Sequence, residues 1–143
     1  MKIFVTGVAG AIGSHVAEAL VRSGHEVIGI DSFTPYYARA YKDITVADIK
    51  KRGVQFHELD LATDDIEPLL KGVEVIYHFA AQPGISSAVP FSDYVRNNII
   101  AEFREETVER AESDSNFRVA LLPVFNLHQM PAGWTTAVIS QAK

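Results

Sequence analysis

Residues 2–20 read KIFVTGVAGAIGSHVAEAL. The short apolar run from Lys2 to Thr6 ends at Gly7 and reads as a buried strand. From Ala11 to Arg22, the apolar residues Ile12, Val16, Ala19 and Leu20 fall at helical spacing, and Ser23-Gly24 supplies the left-handed stop that helix C-termini favour. Between strand and helix lie Gly7, Gly10 and Gly13, in the form G-x-x-G-x-x-G. Gly7 allows the tight turn out of the strand, Gly10 lets the backbone approach a pyrophosphate without a Cβ in the way, and Gly13 lets the helix pack closely on the sheet. The amides of Ala11 and Ile12 then point from the helix N-terminus toward an anion. Glycine spacing alone is weak evidence, because many such patterns are only tight turns. Its position between a strand and a helix makes the signal specific.

Further along, Glu26 to Ile30 is a second β-branched run, closed by Asp31, which stands 18 residues beyond Gly13. A carboxylate there can accept hydrogen bonds from both ribose hydroxyls of an adenosine and repels a 2′-phosphate. No Arg or Lys follows within Ser32 to Tyr37, so NAD is favoured over NADP. The plain alternative is a surface acid at a strand end. The stretch from Thr34 to Lys51 is mixed, with a short helix expected late in it. Val54–Leu59 reads as a third strand, and Thr63 as the cap of a helix whose first turn carries Asp64, Asp65 and Glu67 and which ends at Gly72. Val73–Phe79 is a fourth strand, and Pro90 precedes a helix from Phe91 toward Ala111.

Strands alternating with helices in this way predict an α/β fold with a Rossmann-like, doubly wound parallel sheet. Right-handed crossovers place strands three and two on one side of strand one, and strand four on the other. The switch point between strands one and four is where ligands bind in such sheets.

The composition narrows the partners. The 143 residues suit a single domain, 48% of them are hydrophobic, and the formal net charge is −5. That charge argues against nucleic acid or an anionic membrane, both of which reward clustered Lys and Arg. With no cysteine, disulfides, thiolate nucleophiles and zinc–thiolate sites are excluded. The opening MKIFVTG has neither a signal-peptide pattern nor a membrane span, so a cytoplasmic location is the expectation. His15, His25 and His57 show no ligand spacing, and His78 reads as a packed or hydrogen-bonded residue, so no metal site is expected. Tyr36, Tyr37 and Tyr41 either cover an adenosine or pack, and packing is the preferred reading.

The segments TGVAGAIG (6–13), GIDSF (29–33), Asp60-Leu61, HFAAQPGI (78–85) and DYVRNNI (93–99) together resemble the extended short-chain dehydrogenase/reductase family, in particular its NAD-dependent nucleotide-sugar epimerases and dehydratases. The resemblance covers residues 1 to about 100. AAQPG, and PYY (35–37) followed by Lys42, resemble UDP-glucuronate 4-epimerases more than the UDP-galactose type. It implies that Asp60 and Leu61 flank the adenine, that Phe79, Ala80 and Ala81 run along the cofactor, and that Asn98 supports that strand and reaches the nicotinamide side. It also implies a UDP-sugar as the family's substrate, with 4-epimerisation through a transient keto sugar, an isomerase reaction of nucleotide-sugar metabolism.

The family's chemistry needs a Tyr followed four residues later by a Lys that lowers the phenol pKa. Here the residues four positions after each tyrosine are Ala40, Tyr41, Thr45, Ala81 and Asn98, so no catalytic residue is assigned. The family's Ser-rich fifth strand is missing too, and Pro123 disfavours a central strand in the run FRVALLPVF. The chain therefore divides into an incomplete, truncated NAD-binding domain (1–111) and a divergent tail (112–143), which is either genuine or the product of a shifted reading frame near residue 101. A sheet edge left open beside strand four would favour association, so a homo-oligomer is one expectation. Three functions stay open: an inactive cofactor-binding portion of an epimerase, a non-catalytic NAD-binding or regulatory module, and a small NAD-dependent oxidoreductase using other residues.

Overall fold

The structure is a computed structural model, and it describes residues 1–36, 38–82, 90–100 and 118–121. Strands β1 (Lys2–Thr6), β2 (Glu26–Asp31), β3 (Gln55–Glu58), β4 (Val75–His78) and β5 (Arg118–Leu121) alternate with helices α1 (Ala11–Arg22), α2 (Arg39–Lys51), α3 (Glu67–Leu70) and α4 (Phe91–Val95). They form one sheet in the order β3-β2-β1-β4-β5. Every pairing in it is parallel, as the alternating pattern predicts.

Because side chains alternate along a strand, β1 divides its apolar residues between two cores. Phe4 joins Ile28, Ile30, Ile76 and Leu70 of α3 on one face. Ile3 and Val5 join Val27, Ala17 of α1 and Ile49 of α2 on the other. Burial on both faces explains why β1 and β2 read as continuous apolar runs rather than alternating ones. Each such side chain contributes about 1.5–3 kcal/mol on burial. Among the described residues, no helix is long and apolar enough to cross a membrane.

Several local expectations are corrected. The helix expected to be short within 34–51 is α2, with 13 residues. Thr63 does not cap α3, because the neighbouring acids close a turn instead. Asp64 Oδ2 accepts from the Asp60 amide at 2.7 Å and Asp65 Oδ1 from the Glu67 amide at 3.0 Å, so the helix begins only at Glu67. Pro68 there follows the rule that proline suits a helix's first positions. Helix α4 starts at Phe91 as expected and widens after Val95 into a π turn over Arg96–Ile100. Its expected continuation toward Ala111 lies outside the described residues.

The largest correction is β5. The edge of β4 expected to stand open pairs in parallel with Arg118–Leu121, in register Val75↔Arg118 to His78↔Leu121. The strand, Arg118–Leu121, takes a sequence without serine inside the 112–143 stretch.

Candidate functional site

The C-terminal ends of β1, β2 and β4 open onto a groove of about 530 Å³, lying at the switch point between β1 and β4. Its floor is the glycine turn. Gly7 adopts φ +65°, and a Cβ on it would stand 2.7 Å from the Ala80 amide nitrogen, so the turn tolerates no side chain there. A Cβ on Gly13 would collide with the Gly7 carbonyl. Val8, fully buried, fills the space left by Gly29 of β2 and donates its amide to Ile30 O at 3.1 Å, anchoring the turn to the sheet. Gly10 is the N-cap of α1, with no side-chain cap and no acid in the first turn among the described residues. Ala11 and Ile12 line the groove, so the partial positive charge of this helix N-terminus lies beside it.

Asp31 is 7% exposed at the end of β2. Its Oδ2 accepts from the Ala9 amide (3.2 Å), and its Oδ1 from the Phe33 amide (2.8 Å) and Lys42 Nζ (3.0 Å). The absence of Arg and Lys in 32–37 thus did not leave the acid without a cation, since α2 brings Lys42 to it. Arg39 lies 4.4 Å from the Phe33 ring centroid and binds Glu58 with both terminal nitrogens, at 2.9 and 2.7 Å, which holds Glu58 below the usual carboxylate range. The preferred packed reading of the tyrosines fails for Tyr36 and Tyr41, which are 41% and 72% exposed and line the groove. Tyr37 lies outside the described residues.

Opposite, Asp60 and Leu61 line the groove beyond β3. Asp60 Oδ1 accepts from the Ala62 amide at 2.9 Å, and Oδ2 from Arg96 at 2.5 Å. Phe79, Ala80 and Ala81 form the wall beyond β4. Thr6 Oγ1 accepts the amides of Phe79 and Ala80, each at 3.1 Å. Its hydrogen is therefore directed at His78 Nδ1, 2.8 Å away, which makes His78 a hydrogen-bonded residue of the strand end.

Asn98, 5% exposed, supports this wall from behind: Oδ1 accepts the Gln82 amide at 2.5 Å and Nδ2 donates to the Gln82 carbonyl at 3.2 Å. Its neighbour Asn97 lines the groove and donates to Gln82 Oε1 at 3.3 Å. Lys42, Gln82, Asn97 and Arg96 were missed as site residues. Only the AAQPG and RNN segments hinted at the last three.

Comparison with known proteins agrees with this geometry. Residues 3–104 match the family model described as the NAD dependent epimerase/dehydratase family. The chain is 44% identical over 107 residues to an uncharacterized UDP-glucose epimerase, YtcB, of Bacillus subtilis, covering 71% of this chain and 33% of that protein. It is 36% identical over 104 residues to the protein CapI of Staphylococcus aureus, covering 70% of this chain and 31% of the other. A UDP-glucuronic acid 4-epimerase from Bacillus cereus, solved in complex with NAD, superposes with a TM-score of 0.72 at 34% identity, covering 85% of this chain and 39% of that one. The same enzyme has also been solved with UDP-glucuronic acid and NAD. The chain spans about a third of the length of these curated relatives. Its matched residues, 3–104, take in β1 through α4 with the whole glycine turn, and the chain belongs to the NAD dependent epimerase/dehydratase family.

Proposed function

We propose that this chain forms the NAD-binding part of a nucleotide-sugar 4-epimerase, with UDP-sugars as the substrate class of the whole protein. The observation that carries the reading is the glycine turn at the switch point, where backbone fills the space a side chain would need and an uncapped helix N-terminus meets Asp31. Gly7, Gly10 and Gly13 shape the turn, the amides of Ala11 and Ile12 receive the pyrophosphate, and Asp31 with Lys42 beside it takes the adenosine ribose. Asp60 and Leu61 border the adenine, while Phe79, Ala80 and Ala81, held by Thr6 and Asn98, line the path toward the nicotinamide. When bound, NAD supplies the hydride acceptor and donor that 4-epimerisation through a keto sugar requires.

By itself the chain is a binding unit without catalysis, because no tyrosine in it is followed by Lys at the fourth position. The cytoplasm is the proposed compartment, in keeping with a cysteine-free chain.

Calorimetric titration of NAD, with ADP-ribose as competitor, tests the binding. Saturable one-to-one binding displaced by ADP-ribose supports it. No heat at millimolar NAD overturns it.

A further inference from the structure

We infer that Arg96 is a positioning residue for the base end of the dinucleotide: it fixes the Asp60 carboxylate so that this acid discriminates adenine from a 6-keto purine. The inference rests on the reading that adenine lies against Asp60. Arg96 opens the π turn after α4 and crosses 36 residues of sequence to reach the acid, placing its terminal nitrogen 2.5 Å from Asp60 Oδ2. The other carboxylate oxygen accepts from the Ala62 amide at 2.9 Å. Both oxygens of the acid are thus tied, one to its own loop and one to a separate element.

The guanidinium is itself held, since its other terminal nitrogen donates to Asn97 Oδ1 at 2.9 Å. Asn97 in turn donates to Gln82, whose main chain Asn98 clamps. Three successive residues of one widened turn therefore tie the acid on one side of the groove to the wall on the other. π turns concentrate at such sites, because the extra residue re-aims side chains that a regular helix would direct elsewhere.

The chemistry follows from what a carboxylate can do. Ionised, it only accepts hydrogen bonds. It welcomes the 6-amino group of adenine and repels the 6-keto oxygen of hypoxanthine. A carboxylate free to rotate can turn away from the keto oxygen and so discriminates less. Arg96 prevents that rotation and offsets the acid's charge beside an anionic dinucleotide. Lysine, a point charge without the planar fork, reproduces the charge but not the fixed direction.

The test measures dissociation constants of NAD and of nicotinamide hypoxanthine dinucleotide for the unmodified chain and for Arg96→Ala, Arg96→Lys and Asp60→Asn, each checked for folding by circular dichroism. The unmodified chain should prefer NAD by about tenfold, the order expected of one hydrogen bond made or frustrated. Arg96→Ala should cut that preference to about threefold or less, chiefly by weakening NAD, with Arg96→Lys in between. If Arg96→Ala does not fold, the preference of Arg96→Lys decides alone. Equal weakening of both dinucleotides, or an unchanged preference, overturns the inference. Asp60→Asn, which offers an amide donor to the keto oxygen, should abolish or invert the preference. If it does neither, the placement of adenine at Asp60 is what has failed. If it does so while the Arg96 variants keep the tenfold preference, the role of Arg96 alone has failed.

Discussion

Lys42 Nζ lies 3.0 Å from Asp31 Oδ1, with the two side chains only 12% and 7% exposed. The pair joins the end of β2 to the first turn of α2 and makes this corner of the groove a balanced site rather than a purely acidic one. Removing the acid leaves an ammonium group where a 2′-phosphate would stand. Asp31→Ala should therefore weaken NAD about 10–100-fold, the loss of charge-assisted bonds worth ~1.5–3 kcal/mol, and at the same time improve NADP. Calorimetry with both dinucleotides checks this, and NADP binding to the unmodified chain as tightly as NAD would show the role given to Asp31 to be wrong.

The hydroxyl of Thr6, 2% exposed, accepts two main-chain amides and donates to His78. Valine fills the same space without the oxygen. Thr6→Val should cost about 1–3 kcal/mol, because the Ala80 amide loses its acceptor and His78 Nδ1 its hydroxyl partner, while Phe79 keeps the Thr6 carbonyl at 3.3 Å. Thr6→Ser should stay within about 1 kcal/mol of the parent. Urea midpoints decide it, and equal stability of the valine and serine variants would contradict the assignment.

Gly7 and Gly24 separate backbone strain from close approach. Both have positive φ, +65° and +82°, but only Gly7 faces backbone, whereas a methyl group on Gly24 would meet no atom within 4 Å. Gly24→Ala should cost only the left-handed backbone, about 1 kcal/mol, and leave NAD binding unchanged. Gly7→Ala should cost several times that, about 2–5 kcal/mol once overpacking is included, and weaken NAD by displacing Ala80. Matching effects of the two variants on binding would remove Gly7 from the groove floor.

Glu58 is held below its ordinary value of 4.5, first by the hydrogen bonds from Arg39 and then by its charge, against the opposing effect of burial. The folded chain thus keeps Glu58 ionised to lower pH than the unfolded chain does. The stabilisation is complete above the ordinary value and disappears as the pH falls through the lowered one. Glu58→Gln should lower the urea midpoint slightly at pH 6, and the gap from the parent should narrow as the pH falls below 4.5. A gap that widens toward acid would reverse the sign.

Much of the fold and site was legible in the sequence for physical reasons that operate locally. The glycine turn is constrained by its own backbone, Asp31 closes its own strand, and buried parallel strands announce themselves as apolar runs, so β1, β2 and the strand order followed directly. What escaped was set by distant partners. Lys42 reaches Asp31 from the next helix, Arg96 reaches Asp60 across 36 residues, and Asn97 lines the groove from within a π turn. The strand β5 escaped because its neighbour β4, rather than a serine-rich composition, determines the pairing. Its pairing covers the β4 edge that the sequence left open and makes β5 the last strand on that side of the sheet.

Every group proposed to hold NAD lies between Gly7 and Asn98, whereas the phenol and ammonium pair that moves the sugar hydroxyl's proton in this family has no counterpart among the five tyrosines. Positioned acid–base groups supply about 10²–10⁴-fold in rate, and the lysine that lowers the phenol's pKa in that pair is absent at each fourth position. Binding and turnover should therefore separate. The chain should bind NAD yet release no 4-epimer of UDP-glucuronate or UDP-glucose when incubated with either sugar and analysed by chromatography. Introducing a lone lysine, as in Thr45→Lys after Tyr41, should not confer activity, because Tyr41 lines the groove next to Lys42, which pairs with Asp31. Epimerised product from protein made in a host free of the endogenous enzyme would overturn the binding-only reading and point to an acid–base group elsewhere in the chain.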